Sequence, residues 1–218
     1  GSDLRLSEGT AWVMNAKQFS QEVRFASNGE GPLKWVVGGI FFWGKNFEDF
    51  AYSDYGYNDF GPTAPFDQFN FLSNGVSKTK SYAPFAQVDY DLSQTSVGVP
   101  LTITAGIRYT HDRKYGRNYL DYQLPLVCGG SCGPIQGPFS KTWSQVTGKF
   151  GLNWQISDQS MVFASVSKGY LAGGNIIGLA TIYNPETLIS YDAGWKSRFL
   201  DGRLQLNVAA YHEEIKHL

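Results

Sequence analysis

The chain has 218 residues, with 18 Lys+Arg against 19 Asp+Glu and a formal net charge of -1, a balance that argues against a nucleic-acid binder, which carries a basic excess or stripe. Charged residues make up 17% and aromatics 16%, with 25 Gly, and this composition excludes disorder and points to a β-rich chain. The longest apolar run, Trp35 to Trp43, is far short of the ~18 residues of a spanning helix.

The first residues, Gly1-Ser2-Asp3-Leu4-Arg5, show no basic-then-apolar leader pattern. No linker, charge block or low-complexity tract follows, so residues 1–218 read as one architectural unit. Period-two patterning then appears along the chain. Phe19, Val23 and Phe25 face away from Glu22 and Arg24. Trp35, Val37, Gly39, Phe41 and Trp43 form an uncharged row, with Lys34 on the other face. Tyr82, Pro84, Ala86, Val88, Tyr90 and Leu92 oppose a row containing Gln87, Asp89 and Asp91. Leu101, Ile103, Ala105, Ile107 and Tyr109 oppose Thr102, Thr104, Gly106, Arg108 and Thr110. From Thr142 to Ile156 the even positions carry no charge, while the odd ones include Lys149. Met161–Leu171 is mixed on both faces. Ile189, Tyr191, Ala193, Trp195 and Phe199 form an uncharged row opposite Lys196, and Leu204, Leu206, Val208 and Ala210 oppose Arg203, Gln205 and Asn207.

About eight strands follow from this pattern, and their connections alternate in length. Short joints fall at Asn28–Pro32, Ser93–Val99, Ser157–Ser160 and Asp201-Gly202; long ones fall at about Gly44–Lys78, Asp112–Ser140 and Ala172–Pro185. The Asp-Gly pair suits a two-residue type I′ hairpin, where both central residues need φ > 0. With every second connection short, the long loops emerge on one side, as in transmembrane β-barrels. Trp35, Tyr90, Trp154 and Phe199 lie near the short-turn ends in the uncharged rows, where a membrane barrel places an interfacial aromatic ring. A soluble sandwich or a lipocalin-like barrel also alternates, with the apolar row turned inward.

The C-terminal third is more specific. Val162-Phe163-Ala164-Ser165-Val166-Ser167-Lys168-Gly169-Tyr170 with Gly173-Gly174-Asn175, and Asn184-Pro185-Glu186-Thr187-Leu188-Ile189-Ser190-Tyr191-Asp192-Ala193-Gly194-Trp195-Lys196-Ser197, resemble signatures of TonB-dependent outer-membrane receptors. The hairpin Phe199-Leu200-Asp201-Gly202-Arg203-Leu204 and the upstream Phe19–Ser27 and Trp35–Gly39 segments are similar to that family's barrel as well. Leu171 and Ala172 stand where the family places a basic residue and a proline.

The resemblance implies an all-β, antiparallel up-and-down transmembrane barrel, of which this chain supplies about eight strands of some twenty-two. It implies residence in the outer membrane of a Gram-negative bacterium and active uptake of a scarce nutrient, most often a ferric siderophore. The implied partners are outer-membrane lipid, the plug domain of the full-length chain, TonB through an N-terminal region outside this sequence, and the small-molecule ligand. Transport breaks no bond, so neither catalytic residues nor a cofactor are implied. A complete small eight-stranded barrel with a structural or adhesive role, or a secreted carbohydrate-binding β-sandwich, are the competing readings.

Candidate residues fall in three groups. The aromatic segment 47–71 and the Gly-Tyr loop offer candidate ligand contacts, Tyr52, Tyr55, Tyr57, Asn58, Phe60, Tyr170 and Asn175, the alternative for the segment being that its rings pack on one another to hold a long loop shut. The polar rows offer a lumen wall that either contacts the plug or is simply hydrated: Glu22, Arg24, Lys34, Asp89, Arg108, Lys149, Lys196 and Arg203. Cys128 and Cys132, in a Gly-rich loop on the long-loop side, suit a small disulfide ring. His111, His212 and His217 lie on other segments, and no ligand set for a metal is completed.

Overall fold

Alternating apolar and polar positions make these segments strands, because only a period of two keeps all the apolar side chains on one face. A computed structural model describes residues 7–55, 69–123, 135–175 and 181–216. It contains β1 (Ser7–Ala26), β2 (Leu33–Tyr55), β3 (Phe69–Asp91), β4 (Leu101–Gln123), β5 (Ile135–Ser157), β6 (Ser160–Leu171), the short β7 (Gly174–Asn175) and β8 (Ile182–Tyr183), β9 (Glu186–Phe199) and β10 (Leu204–Lys216). Eight of these form one antiparallel sheet in the order β1-β2-β3-β4-β5-β6-β9-β10, and β7 and β8 pair with each other. β1 and β10 do not meet, so the sheet is open. The eight strands are therefore not a closed small barrel, and no second large sheet packs on them among the described residues.

The burial pattern is the reverse of a soluble protein's. On one face Phe25 is 65% exposed, Ile107 58% and Val208 54%, whereas on the other Thr104, Thr110 and Asp112 are buried. Soluble proteins do not leave so large an apolar face in water. The registers put Val37 opposite Ala86, Ala86 opposite Ile107, and, nearer the short turns, Trp154 opposite Val162, so the apolar face spans consecutive strands as the lipid face of a barrel does, with Lys168 on β6 its one cation at this height. Phe19, Phe41 and Tyr82 extend this belt by ring contacts, with centroids 6.3 and 5.2 Å apart.

The short joints are built as tight structures. Between β3 and β4 a 3₁₀ turn, Leu92–Gln94, is capped by Asp91. Its carboxylate accepts from the Ser93 N–H at 3.0 Å, the Ser93 hydroxyl at 2.7 Å and the Gln94 amide at 3.0 Å. The β9–β10 turn differs from the Asp201-Gly202 expectation. Leu200 and Asp201 hold φ of 57° and 54°, Gly202 follows at 84°, and the Gly202 N–H donates to the Phe199 carbonyl at 3.1 Å. The central pair is thus Leu200-Asp201, one residue earlier than the dipeptide rule places it.

At the other end the strands run past the expected long joints. β2 continues to Tyr55 and β3 begins at Phe69, so the joint expected at 44–78 is largely ladder; β4 and β5 likewise extend to Gln123 and back to Ile135. Alternation fades there because both faces of the sheet are wet, while the backbone ladder persists.

Candidate functional site

The ladders assemble an inner wall from residues far apart in sequence. Arg24, Gly38, Phe85, Arg108 and Thr147 lie in one cross-strand row. Gln87, Gly106, Lys149, Ser167 and Ser190 form the next. Lys34, Asp89, Thr104, Gly151, Ser165 and Asp192 form a third, nearer the short turns. Glu22 pairs with Ile40, and Lys196 with Met161, on the same face. Seven of the eight anticipated wall residues therefore share one face. Arg203 lies in the turn before β10, where its N–H donates to the Leu200 carbonyl.

Glycines give this wall its relief. A Cβ on Gly38 would stand 2.7 Å from the Phe85 ring, so Phe85 folds over its neighbour instead of standing into the lumen. Beside it opens a groove of about 370 Å³, with Glu22, Gln87, Arg108, Thr147, Lys149 and Ser167 on its lining. Phe163 covers Gly194 in the same way, and the Lys196 ammonium sits 5.2 Å above the Phe163 ring. Asp89 accepts from the Thr104 hydroxyl at 2.5 Å and the Gln87 amide at 3.1 Å. The Lys34 ammonium donates to the Gly29 carbonyl. Arg24, Arg108 and Lys149 have no carboxylate within ion-pair distance among the described residues, where the pair found is His212–Glu214 at 3.7 Å.

At the long-loop end the β7–β8 hairpin folds onto this wall. The Asn175 amide donates to the Asn118 side-chain carbonyl at 3.2 Å, and the Ser77 hydroxyl donates to the Asn175 side-chain oxygen at 3.4 Å. Gly173 presses against the Trp143 ring, where a Cβ would come within 2.7 Å. Asn175 is thus held by the wall, and Ser77, Asn118 and Trp143 are partners that alternation did not flag. Tyr170 turns a buried hydroxyl toward Asp112, and the Trp143 indole N–H is buried without a partner among the described residues. Tyr52 is a half-buried β2 residue paired with Thr10, and Tyr55 closes that strand opposite Ser7. Tyr57, Asn58, Phe60, Cys128 and Cys132 lie outside the described residues.

An open, one-sheet wall with a lipid face, a polar face and long strands at one end is part of a larger barrel. The sequence matches the TonB-dependent receptor-like β-barrel family over residues 3–218. The chain belongs to this family. Along 87 residues the receptor barrel is 32% identical to the metal-pseudopaline receptor of Pseudomonas aeruginosa, a match covering 38% of this chain and 12% of that protein. It is also 32% identical over 66 residues to the ferric-pyoverdine 358 receptor of Pseudomonas putida, covering 30% of this chain and 8% of that one. Among solved structures, the ferric yersiniabactin uptake receptor of Yersinia pestis superposes with a TM-score of 0.70 at 20% identity, over 99% of this chain and 30% of that one. The chain therefore spans a minor part of the length of the receptors it matches. At that identity the superposition speaks for the fold alone.

Proposed function

We propose that this chain is part of the barrel of an outer-membrane receptor that takes up a metal–chelate complex, most often a ferric siderophore, using energy relayed by TonB. The observation that carries the reading is the broad exposed apolar face backed by a polar wall. The receptors matched in sequence are named for metal-chelator ligands, which favours a chelate over a sugar or a vitamin. In the complete protein the wall surrounds a plug domain, and Arg24, Arg108 and Lys149 are its ion-pairing groups, with Glu22, Lys34, Asp89, Lys196 and Arg203 as further contacts. Tyr52, Tyr55, Tyr57, Asn58, Phe60 and Tyr170 supply ligand contacts at the mouth. Asn175 positions the hairpin beside them, and Cys128 and Cys132 close a small disulfide ring. Transport needs no bond cleavage, so no catalytic group is assigned.

The reading is tested by immunoblotting native outer-membrane fractions with and without boiling. A heat-shifting band several-fold heavier than 24.2 kDa, together with iron uptake lost on deleting the gene, supports it. A heat-shifting band near 24.2 kDa, or no band in the membrane, overturns it.

A further inference from the structure

Above the apolar belt the outward face of β1–β4 changes character. Lys17, Lys45 and Lys78 stand directly opposite one another in consecutive ladders, and in the next outward-facing row toward the belt Lys80 is opposite Arg113. Arg117 follows on the same face of β4. Like charges facing one another across a ladder are unfavourable, so rows of this kind make sense where an anion lies between them. No acidic residue occurs in these rows; the first on this face, Asp49, lies opposite Val13 and Asn74, two rows beyond the lysines. Lys17, Lys45, Lys80, Arg113 and Arg117 are exposed, and none of the six has a carboxylate partner among the described residues.

The same rows carry aromatics. Phe19 and Trp43 share the Lys80–Arg113 row. Lys78 and Arg113 lie 5.9 and 5.2 Å from the centroid of the Tyr115 ring, which orients both cations outward beside it. Aromatic rings interleaved with cations at one height is the pattern of a membrane interface.

The height agrees. Ten residues of β3 separate Tyr90, in the lower aromatic ring, from Lys80, roughly 33 Å of strand and roughly 25 Å of height at a tilt of about 40°. That is the height of a barrel's apolar band, so the cations stand level with the opposite leaflet's headgroups. They do not ring the wall uniformly. At comparable positions the outward face of β5 presents Ser140, Thr142 and Ser144, β10 sets Lys216 beside Glu214, and β6 carries the single Lys168.

We propose that the outward face of β1–β4 is a binding site for phosphate groups of lipid headgroups in the outer leaflet, with Lys17, Lys45, Lys78, Lys80, Arg113 and Arg117 as its cations. The site rests on the membrane reading above but is separate from transport. Several phosphates on one glycolipid headgroup match the two charged rows better than a single phosphate does. Multiple cations around one headgroup also make retention salt-sensitive.

The test uses the full-length receptor extracted from native outer membranes in mild detergent, with co-purifying lipid phosphorus measured per protein. Lys80→Gln/Arg113→Gln is compared with Lys114→Gln/Lys141→Gln, a pair of directly opposed cations in the adjacent row on the inner face. The outward pair should lower bound lipid phosphorus at least about threefold while the inner pair leaves it unchanged. Each variant is scored by its heat-shifting band, which reports the membrane barrel independently of lipid. Equal phosphorus in all three proteins, or equal loss in both variants, overturns the site, as does an acidic protein co-purifying in place of lipid. Should the outward pair fail to assemble, wild-type receptor is titrated with lipid A and with dephosphorylated lipid A. Stabilisation against heat by the phosphorylated form alone supports the site, and equal effects refute it.

Discussion

The Phe163 ring lies across Gly194, its cross-strand partner, so closely that a methyl group on Gly194 would stand 2.5 Å from the ring. The same methyl would meet the Val208 carbonyl oxygen on β10 at 2.6 Å. Glycine here lets an inward-facing aromatic fold along the wall instead of filling the lumen, which is how a sheet covers a bare glycine backbone. Gly194→Ala should therefore destabilise the assembled barrel by about 1–3 kcal/mol, read as a lower urea midpoint of the heat-shifting form. Trimming the ring as well, in Phe163→Leu/Gly194→Ala, should recover only part of the loss, because the Val208 carbonyl remains. An unchanged midpoint in Gly194→Ala would show that β9 and β10 shift freely here.

Leu200 sits at φ 57° and is 70% exposed, so it bears a backbone strain that no packing offsets. Leu200→Asn should stabilise the β9–β10 hairpin by about 0.5–1 kcal/mol, since Asn tolerates this region. Hydrogen exchange at the Gly202 amide, which closes the turn, should slow in proportion. Faster exchange would count against a strained leucine.

Arg108 faces the groove without an acidic partner among the described residues. In the full-length receptor Arg108→Glu should lower uptake about threefold to tenfold, roughly 1 kcal/mol of wall–plug contact, with the amount of barrel unchanged. Arg108→Lys should keep most of the uptake. If the reversal leaves plug retention and uptake intact, this part of the wall does not hold the plug.

Asp91 is held below the usual carboxylate range by its hydrogen bonds from the Ser93 hydroxyl and N–H, with the Gln94 amide adding to them. A carboxyl with a lowered folded pKa stabilises the turn above its unfolded value, near 3.8, and loses that contribution as pH falls through the folded value. Exchange protection of the Ser93 amide should therefore be full at neutral pH and fall away below about pH 4. Asp91→Asn should make it pH-independent over that window. Protection that declines already near pH 6 would assign the effect to another group.

Alternation revealed the membrane half of each strand because lipid on one side and water on the other impose opposite chemistry on neighbouring residues. Trp35–Trp43 and Leu101–Tyr109 are legible for that reason. Beyond the belt both faces are hydrated, so Phe47 to Tyr55 read as a loop although they lie in β2. The wall residues Arg24, Arg108 and Lys149 were visible as charges in polar rows. Their grouping was not, because it depends on registers between strands that sequence does not state. The Ser77–Asn175–Asn118 contact was hidden for a related reason: it joins β3, β4 and a hairpin some 98 residues further along. The turn at Leu200-Asp201 escaped because Asp-Gly is the stronger local signal, while the ladder ends at Phe199 and Leu204.

Six of the seven ladders in the sheet join strands consecutive in the chain, and the seventh, β6 to β9, skips only the β7–β8 hairpin. Each arriving strand thus finds its partner already in place, across connections as short as Asp158-Gln159. The entropy of bringing distant segments together, which slows most β proteins, is divided here into small local steps. The wall can grow by zipping outward one hairpin at a time, with each finished edge serving as the template for the next.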